Sequence, residues 1–153
     1  MRVARLVVKR NREEKMVAVL DLNAELGRLT QFARTPTSPD ADRRKGLASL
    51  APYRDGGIFA SRFSGSGGWE RHPNGDEIVH ILEGATMLHL MTDDGPQDHA
   101  LRAGMMMVVP QGVWHRFESP AGVTLMSITP QPTDHPAVDV ADPRPLTQKD
   151  MKA

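Results

Sequence analysis

Cysteine is absent from the 153-residue chain. The chain therefore forms no disulfide, holds no thiolate-bound zinc and uses no thiolate nucleophile, so a metal site must consist of imidazole and carboxylate groups. Long apolar runs are missing too. None approaches the roughly 18 to 20 residues of a membrane-spanning helix, and the first residues lack the apolar centre of a secretory signal. These absences predict a soluble, cytoplasmic protein with no membrane partner.

An excess of charge of either sign is also absent, since 19 basic side chains balance 19 acidic ones. A chain without net charge is a poor candidate for nucleic-acid binding, and we expect no such partner. Six basic residues within positions 1–15 make this N-terminal segment locally basic. It is either an arm for an acidic partner or a frayed end with a solvated face, and we favour the second interpretation. No nucleophile elbow, phosphate loop or dinucleotide fingerprint is present.

Short apolar segments separated by turn residues predict an all-β sandwich or barrel rather than alternating strands and helices. The turn sequences favour antiparallel hairpins. The length is that of one domain, so we expect residues 1–153 to form one, with the core barrel over about 50–130. The predicted strands cover residues 3–8, 16–22, 57–63, 77–82, 85–91, 99–103, 105–110, 115–119 and 122–128.

Helix is predicted only near the N-terminus, over residues 23–33 and 40–50. Asn23 and Asp40 are the expected N-caps of these short helices. Residues 130–153 form a proline-rich C-terminal arm, which cannot be a central strand. We expect the arm to lie over the surface or on a second subunit.

Four potential metal ligands occur in two separate pieces of the chain. Glu70 and His72 are two residues apart, so in an extended segment their side chains face the same way. Glu77 follows across the turn-forming sequence PNGD, which can bring its carboxylate back towards His72. His115 follows a second turn, and the four side chains converge if the two strands concerned are neighbours.

The spacing of these residues resembles the two motifs of the cupin superfamily. The second motif, G-x5-P-x-G-x2-H-x3-N, is matched at four positions, with Ser119 in place of the final asparagine. The first motif, G-x5-H-x-H-x3-4-E-x6-G, is matched at its second histidine, glutamate and last glycine, with Glu70 in place of the first histidine. The matched residues are Gly104, Pro110, Gly112 and His115 in the second motif, and His72, Glu77 and Gly84 in the first.

The resemblance implies a cupin-type double-stranded β-helix, a jelly-roll-like barrel that binds a divalent metal through His72, Glu77 and His115. Glu70 is predicted as the fourth ligand. Its additional carboxylate brings the charge of the site near zero and favours iron(II) or manganese, with zinc or nickel as further candidates and copper disfavoured. Two alternatives stay open: Glu70 is a general base rather than a ligand, or it faces solvent and the site is a metal-free ligand pocket.

Other side chains allow a structural and a functional interpretation. Trp69, Met107, Trp114 and Phe117 are predicted to line the pocket, although packing accounts equally well for the two tryptophans. Alternation from Glu77 places Val79 and Ile81 inward and His80 outward, so His80 and His89 are expected to be structural histidines. Arg62 is expected to be exposed, the alternative being a contact with a substrate carboxylate.

The favoured function is a metal-binding cupin, dioxygenase-like or isomerase-like, that acts on a small organic molecule. The alternative is a non-catalytic module that binds or senses a small molecule. A metal-free epimerase-like cupin ranks last, because its tyrosine would have to be Tyr53, far from both motifs. The resemblance also implies a homodimer.

Overall fold

The computed structural model describes residues 18–153, and its regular structure is mainly β-strand with a few short helical turns. The helices are α1 (Leu22–Gly27), α2 (Asp40–Arg43) and a 3₁₀ turn (Gln148–Asp150). The strands are β1 (Phe32–Arg34), β2 (Leu47–Tyr53), β3 (Gly56–Ser66), β4 (Glu77–Thr92), β5 (Gly95–Arg102), β6 (Met106–Val109) and β7 (Trp114–Pro130). None of the described helices has the length and hydropathy needed to cross a bilayer.

The strands form one curved sheet in the order β1-β3-β7-β4-β5, with β2 paired to β3 and β6 paired to β4. Every pairing is antiparallel except β1 with β3. The long strands β4 and β7 run side by side and bend at register shifts, which fold the sheet over its own apolar face. The expected all-β, cupin-type barrel is therefore confirmed.

Several predicted segments differ from the observed ones. Residues 77–82 and 85–91 belong to one strand, β4, and residues 115–119 and 122–128 belong to β7. The predicted strand over residues 16–22 is wrong in its described part, because α1 begins at Leu22. The predicted strand at 3–8 and the basic segment 1–15 lie outside the described residues.

Both helix predictions were too long, and both N-caps were placed wrongly. Helix α1 is capped by Asp21, whose side chain accepts a hydrogen bond from the backbone N–H of Ala24 at 3.1 Å. Pro39 precedes α2, so Asp40 is its first helical residue rather than its cap. Residues 47–50 of the second segment belong to strand β2, because pairing with β3 overrides the local helix propensity of their Leu and Ala residues.

The interior of the barrel is filled by alternating side chains of the long strands. Val79 and Ile81 are fully buried and His80 is half-buried, as alternation from Glu77 predicted. Met107 packs against this core from its edge. A smaller cluster on the outside of the sheet, around Leu26 and Leu50, holds α1 against β2 and β3.

The last glycine of the first motif is required by the bend in β4. Gly84 has φ of +73°, a left-handed conformation that other residues rarely adopt. A Cβ atom at this position would also collide with the carbonyl oxygen of Gly122 on β7. Gly84 thus allows the two longest strands to approach each other where the sheet folds over.

Candidate metal centre

Backbone hydrogen bonds join the two motifs at the candidate site. Glu70 and His115 form an antiparallel bridge, in which each backbone N–H donates to the other residue's carbonyl oxygen at 2.9 Å. Two residues further along, the N–H of Gly112 donates to the carbonyl oxygen of His72 at 3.0 Å. The second-motif turn is also tied to the PNGD turn, since the N–H of Gln111 donates to Asp76 Oδ1 at 2.7 Å. The two distant pieces of chain are therefore neighbours.

The four predicted ligands, Glu70, His72, Glu77 and His115, lie together as one cluster. One nitrogen or carboxylate oxygen from each lies within 4.8 Å of the corresponding atoms of the other three. The Nε2 atom of His115 is 3.2 Å from Glu77 Oε1 and 3.5 Å from Glu70 Oε1, and His72 Nε2 is 3.1 Å from Glu77 Oε2. His72, Glu77 and His115 are buried, and Glu70 is nearly so.

The buried atoms of the cluster lack well-aligned hydrogen bonds. Among the described residues, His72 Nε2, Glu77 Oε1 and His115 Nε2 are all inaccessible to solvent and form no hydrogen bond of good geometry, although each imidazole nitrogen lies within 3.2 Å of a Glu77 oxygen. An unpaired buried polar atom costs about 1–3 kcal/mol, and three of them facing one point are rare unless a ligand satisfies them. This donor set, with two imidazoles and two carboxylates, fits a divalent metal ion.

The opposite ring nitrogens of both histidines are occupied. His115 Nδ1 lies 2.9 Å from the carbonyl oxygen of Val113, and a carbonyl only accepts, so Nδ1 carries a proton. His72 Nδ1 lies 3.0 Å from the hydroxyl oxygen of Thr133 in the C-terminal arm. Such contacts fix the ring orientation of metal-binding histidines and direct Nε2 to the ion.

The electric field of the cluster favours positive charge at its centre. Burial favours the neutral imidazole of His115, but the carboxylates of Glu70 and Glu77 raise its pKa to about 10. Burial alone would likewise raise the pKa values of Glu70 and Glu77, yet the adjacent His115 holds both below the usual range. A proton on His115 thus supplies the positive charge that the carboxylates require.

The residues that contact the candidate ligands come largely from β7 and the arm. The hydroxyl of Thr129 donates to Glu77 Oε2 at 2.6 Å, which leaves Oε1 directed at the cluster. His135 Nδ1 lies 3.9 Å from Glu70 Oε2. Sequence reasoning missed Thr129, Thr133 and His135, because no motif spacing indicates them.

The C-terminal arm lies on its own barrel beside the segment that carries Glu70 and His72. Asp134 forms a backbone bridge with Arg71 and accepts a hydrogen bond from Arg71 Nε at 2.9 Å. The Arg71 guanidinium lies 4.5 Å from the ring centroid of Trp114. The indole N–H of Trp69 donates to the carbonyl oxygen of Val140 at 2.9 Å.

A cavity of about 290 Å³ opens beside the cluster, and Glu70, His72 and Glu77 line it. Of the four residues predicted to line the pocket, Phe117 does so. Trp114 and Met107 do not, since Trp114 is buried under Arg71 and Met107 packs at the edge of the core. Trp69 lines a separate cavity next to the arm. Arg62 lies elsewhere and donates to Thr124 Oγ1 at 3.0 Å.

Comparison with known proteins agrees with this architecture. Residues 63–129, which include all four candidate ligands, match the family model described as the cupin domain. This segment is a cupin domain. A cupin-2 domain containing protein from Shewanella frigidimarina has the same fold, with a TM-score of 0.57 at 24% identity over 74% of this cupin and 95% of that chain.

Two curated relatives have an assigned activity. An acireductone dioxygenase from Rhodopseudomonas palustris strain TIE-1 is 32% identical over 111 residues, which are 72% of this cupin and 62% of the relative. The acireductone dioxygenase of strain ATCC BAA-98 / CGA009 is 34% identical over 94 residues, or 61% of this cupin and 54% of the relative. This cupin therefore spans less than two thirds of either relative.

Proposed function

We propose that this cupin binds one divalent metal ion through Glu70, His72, Glu77 and His115 and is a dioxygenase acting on a small organic molecule. The observation that carries the proposal is the convergence of four potential ligands on one point, where three of the buried ligand atoms form no well-aligned hydrogen bond. The similarity to two acireductone dioxygenases favours oxygenase over isomerase chemistry.

The donor set supports a particular range of metals. Two carboxylates among four ligands neutralise the charge of a dication and favour the harder ions iron(II) and manganese(II) over copper. When bound, a redox-active ion such as iron(II) supplies the electrons and open coordination positions that dioxygen chemistry needs. The preference for iron(II) or manganese(II) is inferred from the ligand types rather than from the distances between the ligands.

Glu70 is better suited to be a ligand than a general base. A general base works best when its pKa lies near the working pH, whereas contact with His115 and the charge of Arg34 hold the pKa of Glu70 far below that range, despite its burial. A carboxylate that stays ionised is instead a good ligand for a cation. The same cavity wall that holds Glu70 then positions the small molecule beside the metal.

The cavity supports a small substrate. Its volume of about 290 Å³ lies at the lower end of the range of about 300–1,000 Å³ that small-molecule sites occupy. Phe59, Phe63 and Phe117 supply apolar wall and keep bulk water from the reacting groups. Ser127 and Gln131 add polar groups that can orient a bound molecule.

The test is anaerobic loading with Fe²⁺ or Mn²⁺, metal analysis, and then oxygen uptake with a panel of small enediols, phenols and keto acids. We expect one equivalent of metal and oxygen consumption with at least one substrate. Glu77→Gln preserves the shape of the side chain but removes its charge, so it should lose the metal, while the exposed Glu83→Gln on the same strand should retain it.

The outcomes separate the competing functions. Absence of stoichiometric metal in the wild-type protein refutes the metal centre. Stoichiometric metal without oxygen uptake on any substrate favours the non-catalytic binding module. Circular dichroism of both variants shows whether a loss of metal is a loss of fold.

A further inference from the structure

An arginine from the short strand β1 lies in the wall of the cavity that contains the candidate ligands. Side chains alternate along a strand, and Phe32 and Arg34 share one face while Ala33 points to solvent. Phe32 belongs to the barrel core, so Arg34 faces the interior as well. The parallel pairing of Arg34 with Gly65 holds the strand in this register.

Arg34 belongs to a group of basic side chains at the junction of two cavities. Arg34, Arg43 and His135 line both the 290 Å³ cavity of the candidate ligands and a neighbouring cavity of about 160 Å³. Lys152, near the end of the C-terminal arm, lines the second cavity. A small anion in the second cavity would meet the positive charges of Arg34, Arg43 and Lys152 together with one carboxylate, that of Asp139.

The guanidinium of Arg34 forms no ion pair among residues 18–153, although Glu70 in the same cavity attracts it over a longer distance. The guanidinium forms no hydrogen bond within these residues either, and its contact is with the face of the Phe63 ring, 4.9 Å from the centroid. Burial lowers its pKa, because the charged guanidinium has lost part of its hydration. Arg43, by contrast, has a distant pairing at 3.8 Å with the exposed Asp40.

The chain makes room for this guanidinium at Gly67. A Cβ atom there would lie 2.6 Å from Arg34 Cζ and 2.9 Å from its Nε and Nη2 atoms. A side chain at this position would displace the flexible end of Arg34. Gly67 thus leaves room for the guanidinium where it now lies.

The charge of the candidate centre explains why a separate cation is useful. With Glu70 in place of the first histidine of the motif, a dication and two carboxylates sum to zero, so the centre itself attracts an anion weakly. We propose that Arg34 binds a carboxylate group of the substrate and that the substrate of this cupin is therefore a small carboxylate. The statement that the bound carboxylate belongs to the substrate rests on the proposed function, whereas the binding of a carboxylate by Arg34 does not.

The fork of an arginine matches a carboxylate through two parallel N–H···O bonds, and lysine cannot reproduce that geometry. Arg34 is therefore a specificity-determining residue, and Arg43 adds long-range attraction. The expected loss on removing a charge-assisted pair of this kind is about tenfold or more in affinity.

The test measures binding of matched probes to the full-length protein by calorimetry, with and without saturating Mn²⁺. The probes are acetate, pyruvate and succinate, each compared with its neutral amide. The variants are Arg34→Gln, Arg34→Lys and Gly67→Ala, and Arg62→Gln is the control, because it removes the same charge outside the cavity. Mn²⁺ stoichiometry is measured first for each protein.

We expect the wild-type protein and Arg62→Gln to bind at least one carboxylate about tenfold more tightly than its amide. Arg34→Gln should lose this preference with Mn²⁺ binding intact, and Gly67→Ala and Arg34→Lys should lose part of it. The inference is overturned if the wild-type protein prefers no carboxylate over its amide, or if Arg34→Gln keeps the preference. Failure of the wild-type protein to bind Mn²⁺ instead refutes the proposed function, and the measurements without metal then decide the role of Arg34 independently.

Discussion

The hydroxyl oxygen of Thr133 lies 3.0 Å from His72 Nδ1, so the C-terminal arm contacts one of the four candidate ligands directly. If His72 Nε2 binds a cation, its proton resides on Nδ1 and is donated to Thr133. Removal of the hydroxyl leaves that proton without a partner and the ring free to rotate.

We therefore expect Thr133→Val to weaken Mn²⁺ binding by about 10- to 100-fold, the usual effect of removing a group that hydrogen-bonds to a metal-binding histidine. Thr133→Ser keeps the hydroxyl and should bind as the wild-type protein does. Calorimetric titration of the three proteins tests this. Equal affinities of Thr133→Val and Thr133→Ser would show that the contact does not support the site.

Glu70 determines which metals the centre prefers. Glu70→His restores the imidazole that the cupin motif usually has at this position, so the ligand set becomes softer and less negative. We expect the affinity for Ni²⁺ to rise relative to that for Mn²⁺. Competition titrations with the two ions measure the ratio, and an unchanged ratio would mean that Glu70 is not a ligand.

His89 should make the stability of the barrel depend on pH. Its Nδ1 atom lies 2.6 Å from Asp98 Oδ1 and its Nε2 atom 2.7 Å from Glu118 Oε2. Burial and Arg116 lower its pKa, but the two carboxylates outweigh them and raise it above the ordinary value. A raised pKa means that the charged form stabilises the fold below the unfolded-state pKa, and that this contribution is lost as the pH rises through the folded-state pKa.

We expect His89→Gln to lower the free energy of unfolding by about 1 kcal/mol at pH 6 and by less at pH 9. The effect is small because both carboxylates are partly exposed to solvent. Urea denaturation at the two pH values provides the measurement. A larger effect at pH 9 than at pH 6 would contradict the assigned direction. His99→Gln, on β5, is the control.

The C-terminal arm should stabilise the segment that carries Glu70 and His72. A chain ending at Thr133 keeps the His72 contact but loses Asp134, which pairs with Arg71, and Val140, which accepts from Trp69. We expect a lower melting temperature, weaker Mn²⁺ binding and a red-shifted tryptophan emission. Unchanged emission and unchanged Mn²⁺ affinity would show that the arm does not support this segment.

The homodimer stays a prediction, and the same truncation bears on it. The described contacts of the arm are made with its own barrel, so we expect the truncated chain to keep the number of subunits of the full-length protein. Light scattering during gel filtration gives both masses. A dimer that becomes a monomer on truncation would show that the arm also contacts a second subunit.

The sequence predicted the four candidate ligands better than it predicted the residues that line the cavity beside them. Alternation and turn residues sufficed to place Glu70, His72 and Glu77 on one side, because a strand's period and a PNGD turn are local properties. His115 came from the turn at Pro110 and Gly112 and from the assumption that the strands are neighbours, and the motif resemblance then agreed with it. The backbone bridge between Glu70 and His115 now gives the physical reason for that proximity.

Features that depend on pairing between strands far apart in the sequence could not be predicted. Strand β1 has three residues and a parallel partner about 30 positions away, so nothing in its own sequence distinguishes it from a loop. Arg34 was missed for that reason. Trp114 and His115 are adjacent on β7, and both are buried because the cavity side and the arm side of the strand are both covered. Alternation therefore could not show which of the two faces the site.

The residues 63–129 that define the family contain every candidate ligand, whereas Arg34 precedes that range and Thr133 and His135 follow it. The candidate ligands thus lie inside the segment that matches the family, while some of the residues that contact them lie in the flanking sequences. If the proposed site is correct, exchanging only the flanking sequences between two cupins would alter both the molecule that is admitted, through Arg34, and the affinity for the metal, through Thr133.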